Sequence, residues 1–188
     1  MYRILLACLM MANANASFYM DYKLNYQSET DAGDATAFNY TRMMNSLYFA
    51  ASMDRNKRLY IGQSVIFWNK TQKQGDDSAD ETTLDLLELG PRLHFYLTQN
   101  RTWYASAVYN FSAKGTSKVS GVEGDVDGSG YMATLGYHYK FSKTIGIGGS
   151  LNYHSVTVDE RKVDSSSSDV SETYTAIIPM LEIAFRFR

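Results

Sequence analysis

Over two stretches, Leu84 to Phe111 and Tyr131 to Tyr153, every second side chain is apolar, in segments of about ten residues separated by polar turns. Period-two alternation places successive side chains on opposite faces of a strand. In the clearest segment Tyr131, Ala133, Leu135, Tyr137, Tyr139 and Phe141 share one face, and Met132, Thr134, Gly136, His138 and Lys140 share the other. One face suits hydrocarbon and the other a polar lumen. The pattern predicts an all-β fold, an eight-stranded antiparallel up-and-down transmembrane β-barrel.

Eight strands follow from the same phase. The first, about Phe18 to Tyr26, turns Phe18, Met20, Tyr22, Leu24 and Tyr26 outward and Tyr19, Asp21, Lys23 and Asn25 inward. The second, about Tyr40 to Met53, sends Met43, Leu47, Phe49, Ala51 and Met53 outward, with Asn45 as its one poor lipid-facing residue, and Arg42, Met44, Ser46 and Tyr48 inward. The third, about Arg58 to Asn69, has apolar residues in both phases. We assign Tyr60, Ile66 and Trp68 to the lipid side, because the competing set of Leu59, Ile61, Val65 and Phe67 carries Gln63 to mid-bilayer. The fourth, Leu84 to Leu97, sends Leu87, Leu89, Pro91, Leu93, Phe95 and Leu97 outward, and Glu88, Gly90, Arg92, His94 and Tyr96 inward. The fifth exposes Trp103, Ala105, Ala107, Tyr109 and Phe111, and the seventh Ile145, Ile147, Gly149, Leu151 and Tyr153. The eighth, about Tyr174 to Phe187, directs Ile177, Pro179, Leu181, Ile183, Phe185 and Phe187 to lipid and Met180, Glu182, Ala184 and Arg186 to the lumen. Proline cannot donate to a ladder, so a bulge or a missing bond is expected at Pro91 and at Pro179.

The connections alternate in length. Asp54 to Lys57, Gln99 to Arg101 and Phe141 to Thr144 are tight, whereas Ser28 to Ala35, Lys73 to Glu81, Gly115 to Gly128 and Asp159 to Glu172 are long. Short periplasmic turns and longer external loops place both termini on the periplasmic side. The four long connections hold 15 of the 20 acidic residues, together with the Ser165 to Ser168 run. Solvated, disordered loops are the expectation, and their carboxylates also offer oxygen ligands to divalent cations at the surface.

Length and charge narrow the picture. A chain of 188 residues with net charge −2 and scattered basic residues makes one domain and carries no electrostatic footprint for nucleic acid. Fifteen Tyr, nine Phe and two Trp suit interfacial girdles. No apolar run reaches the roughly 20 residues of a spanning helix, and the mean hydropathy of −0.31 hides a lipid-facing surface diluted one residue in two. At the N-terminus, Arg3, the apolar run Ile4 to Ala12 and Ala14-Asn15-Ala16 read as a signal peptide over residues 1–16, so the mature barrel spans 17–188 from Ser17. The single cysteine, Cys8, lies in that segment, in a Leu5-Leu6-Ala7-Cys8 sequence shaped like a lipobox with only seven residues ahead of it.

The inward charges are the candidate functional residues: Asp21, Lys23, Arg42, Glu88, Arg92, Lys140, Glu182 and Arg186. An isolated charge inside a barrel is costly and opposed pairs are favoured. Strands one and eight must be neighbours for closure, which brings Asp21 towards Arg186 and Lys23 towards Glu182. Lys140 and Arg186 also lie near the wet end. An eight-stranded ring is just wide enough for side chains to fill it, so a plugged lumen is expected. His94, His138 and His154 all face inward at different heights, which does not make a zinc site. Glu123, Asp125, Asp127 and Gly128 share part of a calcium-loop spacing without its remaining ligands. His154 and Ser155 are adjacent in a strand and point apart, against their acting as a catalytic pair. No catalytic residue, cofactor or metal ligand is assigned.

The eight patterned strands, three short turns, four long connections and the final Ile183-Ala184-Phe185-Arg186-Phe187 resemble the small outer-membrane β-barrel proteins of the OmpA-barrel, OmpX and OmpW type. The resemblance is architectural and covers residues 17 to 188. It implies insertion by the outer-membrane assembly machinery, which in the family reads a last strand ending in an aromatic residue; this chain has Arg188 after Phe187, and Glu182 where a glycine is usual. The leading reading is a Gram-negative outer-membrane barrel with a structural or surface-interaction role and no enzymatic activity. Its partners would be outer-membrane lipid and lipopolysaccharide. Two other readings are a narrow porin-like channel for ions or small solutes, and a soluble exported barrel that binds a hydrophobic ligand.

Overall fold

The computed structural model describes residues 17–30, 38–74, 81–163 and 166–187. The expected signal segment with Cys8, and Arg188, lie outside these residues. Eight strands form one closed antiparallel ring in chain order: β1 (Phe18–Thr30), β2 (Phe38–Ser52), β3 (Leu59–Gln74), β4 (Glu81–Tyr96), β5 (Trp103–Val119), β6 (Val122–Lys140), β7 (Ile145–Val163) and β8 (Ser166–Phe187). Closure is made by β1 against β8, from Phe18↔Phe187 to Leu24↔Leu181. One end of the ring carries Ser17, Phe187 and the 53–58, 97–102 and 141–144 turns (the turn side), and the other carries the tips of the β5–β6 and β7–β8 hairpins (the hairpin side).

Inside and outside follow the alternation in seven strands. Leu135, Leu151, Ile147 and Leu181 are exposed on the outer face, and Asp21, Lys23, Glu88 and Arg92 are enclosed. Asn45, the polar residue on the outer face of β2, accepts a hydrogen bond from the Tyr22 hydroxyl at 2.6 Å, so a neighbouring strand supplies its partner.

Strand β3 is reversed from the expected facing. Tyr60, Ile66 and Trp68 are buried inside, and Ile61 and Phe67 are exposed outside. Pairing with β4 decides this: Tyr60 lies opposite His94, Ile66 opposite Glu88, and Gly62 opposite Arg92, all inward partners. Gly62 and Ser64 stand opposite Arg92 and Gly90 in this register, and a Cβ at Gly62 would run into the Phe49 carbonyl of β2. Gln63 stays on the outside, where its amide nitrogen donates to the Ser64 carbonyl at 3.1 Å.

Two segments expected as loops are strand. The 115–128 stretch continues the β5–β6 ladder to Val119↔Val122. Ser120 and Gly121, at φ 49° and 83°, close it in the left-handed pair that a two-residue hairpin requires. The β7–β8 ladder likewise runs out to Val163↔Ser166. Backbone pairing needs no apolar side chains, so acidic, Ser-rich sequence is compatible with it. Cross-strand contacts reinforce these arms: Lys114 pairs with Asp127 at 2.8 Å, which raises the Lys114 pKa, and Thr157 meets Thr173 at 3.0 Å. About 9–11 tilted residues cross a bilayer. The β5 to β8 strands, of 17, 19, 19 and 22 residues, extend well past that length.

On the turn side, one short side chain accepts two backbone N–H groups in each connection. Asp54 Oδ1 takes those of Arg58 and Leu59 at 2.7 and 2.8 Å, Thr98 Oγ1 those of Thr102 and Trp103 at 3.1 and 3.2 Å, and Ser142 Oγ those of Thr144 and Ile145 at 3.2 and 2.9 Å. Such local acceptors satisfy the backbone where the ladder stops.

The two prolines act differently. At Pro91 the β4–β5 register slips between Leu89 and Arg92, a bulge on the β5 side. At Pro179 the β7–β8 register passes without a shift, but the β1–β8 ladder has already ended at Leu24↔Leu181. Beyond it the Asn25 side chain donates to the Pro179 carbonyl at 2.7 Å.

The interior has two halves. Nearer the turn side, Tyr19, Tyr48, Tyr60, Tyr96 and Tyr104 pack with Ala50 and Ala184. Nearer the hairpin side lies an apolar cluster that includes Met44, Ile66, Trp68, Leu86, Met132, Val156 and Ile178. The lumen is therefore less polar than the alternation implied, because β3 and the upper parts of β4 to β8 contribute apolar residues inward.

Gly136 is required by this packing: a Cβ there would sit 2.3 Å from the Tyr104 ring. Gly136→Val is expected to destabilise the barrel by about 1–3 kcal/mol through overpacking. Gly149→Ala, where the added carbon meets only the Met180 carbonyl at 3.4 Å, should stay within about 0.5 kcal/mol. Urea unfolding of the two refolded variants in micelles measures both.

Candidate functional site

Between the two halves lies a layer of enclosed charge, assembled from strands far apart in sequence. Arg92 on β4 reaches across to Asp21 on β1, Nη1 to Oδ1 at 3.0 Å, with both side chains inaccessible to solvent. Its Nε donates to Ser106 Oγ at 3.2 Å, and its guanidinium carbon stands 4.5 Å from the Tyr48 ring centroid. The Tyr48 hydroxyl in turn lies 3.0 Å from the Arg92 carbonyl. The arginine is thus held at its head and its backbone.

A second group gathers on Glu182. Lys23 lies 3.6 Å from one carboxylate oxygen, and the Tyr104 hydroxyl donates to that same oxygen while accepting from Lys23 Nζ at 2.9 Å. The other oxygen is 2.6 Å from His138 Nε2. Three partners on three other strands fix one carboxylate. In β1 and β8 Lys23 and Glu182 are register partners, which is why the expected pair forms.

Asp21 and Arg186, expected to meet, do not. The register sets Asp21 opposite Ala184 and Arg186 opposite Tyr19. Asp21 therefore takes Arg92 from across the ring. Arg186 turns to the turn-side end, where Nε donates to the Tyr96 hydroxyl at 3.1 Å and Nη2 to the Arg101 carbonyl at 3.3 Å. Lys140 is exposed at that rim and stands outside the enclosed network. It lines a cleft there with Arg101, Lys143, Arg186 and Phe187. Among the described residues Glu88 has no Lys or Arg partner; Asn110 Nδ2 donates to one oxygen at 2.6 Å and His154 Nε2 lies 2.8 Å from the other. Arg42 sits at the hairpin-side end, bonded to the Gln27 amide oxygen at 2.6 Å.

The three histidines occupy separate environments. His138 and His154 serve different carboxylates, and His94 is stacked on Tyr104 at 4.4 Å within the aromatic cluster. His154 faces inward, whereas Ser155 bonds Thr175 between strands at 3.2 Å. The arrangement neutralises charge and fills space. Its carboxylates are held by protein donors, and Asp21, Lys23, Glu88, Arg92 and Glu182 are all closed to solvent.

Sequence reasoning missed Tyr104, Ser106 and Asn110 as partners of the charges, and the roles of His138 and His154. All share the inward phase of their strands, which was the available signal. Which carboxylate each would meet depends on the stagger across the ring.

No protein-family model and no curated protein matches this sequence. Similar solved structures include the translocator domain of autotransporter NalP from Neisseria meningitidis, at 12% identity and TM-score 0.45 over 97% of this chain and 66% of that one. This chain thus spans just under two thirds of that structure's length. Neisserial surface protein A is similar at 11% identity and TM-score 0.46, over 92% of this chain and 97% of that one. An outer membrane channel from Pseudomonas putida F1 is similar at 11% identity and TM-score 0.36, over 93% and 96% respectively.

Removing one member of an enclosed ion pair leaves the other charge stranded. Asp21→Asn and Arg92→Met are each expected to lower stability by about 3–5 kcal/mol, and the double variant to recover most of that loss. Denaturant unfolding of the three variants in one detergent tests the coupling; additive losses would contradict it.

Proposed function

We propose that this chain is an integral outer-membrane β-barrel with a structural or surface-interaction role, its lumen closed by its own side chains. One observation carries the reading: the outer surface is an apolar belt edged by aromatic residues, while the ionic side chains are inside. Leu24, Leu135, Leu151 and Ile183 occupy the middle of the belt. Trp103, Tyr137, Tyr139 and Phe187 ring its turn-side margin, and Tyr26, Tyr109, Tyr131 and Tyr153 its hairpin-side margin. Aromatic girdles at the two edges of an apolar band are the signature of a barrel seated in lipid, since their rings suit the headgroup level.

In this reading the termini and tight turns face the periplasm, and the β5–β6 and β7–β8 arms project outward. The arms are the working surface: paired strands present Lys, Asp, Glu and Ser side chains beyond the lipid. Arg92, Tyr48, Tyr96 and Tyr104, all fully buried in the lumen, fit a plug better than a conduit.

A Leu135→Arg or Leu151→Arg substitution should cost roughly 2–4 kcal/mol near the midplane, whereas Val122→Lys at the hairpin tip should cost almost nothing. Equal losses at both kinds of site would remove the assigned lipid face. In planar bilayers the purified protein should show little steady conductance; a sustained open current from the unaltered protein would replace the plug with a channel.

A further inference from the structure

At the hairpin-side end of the lumen two cations and an indole N–H converge, and among the described residues no carboxylate is bonded to any of them. Arg42 on β2 and Lys70 on β3 are direct cross-strand partners, so two cations stand side by side. Arg42 is 5% exposed; among the described residues its Nε has no acceptor, and its only bonded partner is the neutral Gln27 amide. Trp68, 4% exposed on the same strand as Lys70, has an indole N–H that is likewise without an acceptor. All three line one cleft, together with Tyr40, His154, Tyr174 and Thr173.

The remaining groups do not neutralise it. Neither Arg42 nor Lys70 forms an ion pair among the described residues, and Lys70 Nζ instead lies 5.0 Å from the Tyr174 ring centroid and 5.8 Å from that of Tyr40. His154 is engaged with Glu88, and exposed Glu172, bonded to the Tyr174 hydroxyl at 2.6 Å, offsets Lys70 only from the rim. Trp68 packs edge-on against His154 and Tyr174, at 5.4 and 5.8 Å between centroids, which holds the indole in place. A buried donor left unmet is costly, and a pair of adjacent cations more so. An acceptor carrying about two negative charges answers both, and a phosphate group near neutral pH carries about −1.5 to −2.

The geometry points to a phosphate-binding site at this mouth of the barrel, with Arg42 and Lys70 supplying charge and the Trp68 indole a neutral hydrogen bond. The ligand is inorganic phosphate or a phosphomonoester on a lipid headgroup, the forms that carry this charge. The site goes beyond a purely structural role and does not depend on conductance.

The chain has two tryptophans, so Trp103→Phe leaves Trp68 as the only indole reporter. The full chain carrying this change, refolded in zwitterionic micelles, is titrated with sodium phosphate against sodium chloride at equal ionic strength. A saturable change in Trp68 emission specific to phosphate is expected. Arg42→Gln should weaken it by about tenfold or more, the loss expected for one charge-assisted hydrogen bond. Lys70→Gln should weaken it in the same direction, and Lys118→Gln, on the exposed β5 arm, should leave it unchanged. Unboiled gel mobility certifies that each variant is folded; if Arg42→Gln fails that check, Lys70→Gln carries the comparison. Micelles doped with a short-chain phosphatidate then separate the sources: tighter binding than inorganic phosphate identifies a lipid headgroup, and weaker binding identifies free phosphate. An identical chloride curve, or folded Arg42→Gln and Lys70→Gln that both bind phosphate as tightly as the parent, overturns the site.

Discussion

A ring of eight strands encloses a space that only its own side chains can fill, and this constraint governs the rest of the molecule. Each inward residue meets the opposite wall, so its identity is set as much by what it faces as by its own strand. Arg92 on β4 meets Asp21 on β1, from the far side of the ring, and not a neighbour on an adjacent strand. Tyr104 can lie across the lumen to Glu182 because Gly136 has no side chain in its path. Charge and volume are therefore solved together, strand against strand.

Enclosed ion pairs are weak contributors to stability when compared with apolar replacements of the same shape. Their physical effect here is on register. A slip of one residue in any strand exchanges its two faces, and would carry Asp21 or Glu182 to the outer belt while burying Tyr22 or Ile183. The charged layer penalises that slip strongly, whereas the aromatic and apolar clusters on either side of it contribute burial with less discrimination. The division of the lumen into tyrosine-rich, charged and apolar levels thus combines packing with a fixed alignment.

Most of the architecture was legible in the period-two pattern, because seven strands have one face that is plainly the greasier. Strand β3 was not, since Tyr60, Ile66 and Trp68 compete with Ile61, Val65 and Phe67, and a single Gln63 was a poor arbiter. The deciding information sits in β4, where His94, Glu88 and Arg92 are inward and carry their β3 partners with them. The arms at 115–128 and beyond Asp159 lack the apolar alternation of the other strand segments and so look like loops in the sequence, yet ladder bonds are made by backbone and tolerate polar side chains. The interior partners show the same boundary: Lys23 and Glu182 are neighbours through closure and could be foreseen, whereas Glu88 with Asn110 and His154 depends on a stagger that no single strand contains. Asp21 and Arg186 illustrate the cost of ignoring that stagger by two residues.

The seam between β1 and β8 consists of seven residue pairs, against thirteen between β1 and β2. It joins Phe18 to Phe187, the strand pair with the greatest sequence separation among the described residues, and so closes the longest loop of any ladder in the ring. Pro179, which has no N–H to offer, lies just past its last pair. The seam is therefore a short clasp on an otherwise continuous band. Unfastened there, the ring would be a curved open sheet with two bare edges, and of all its junctions this is where it has fewest rungs to part.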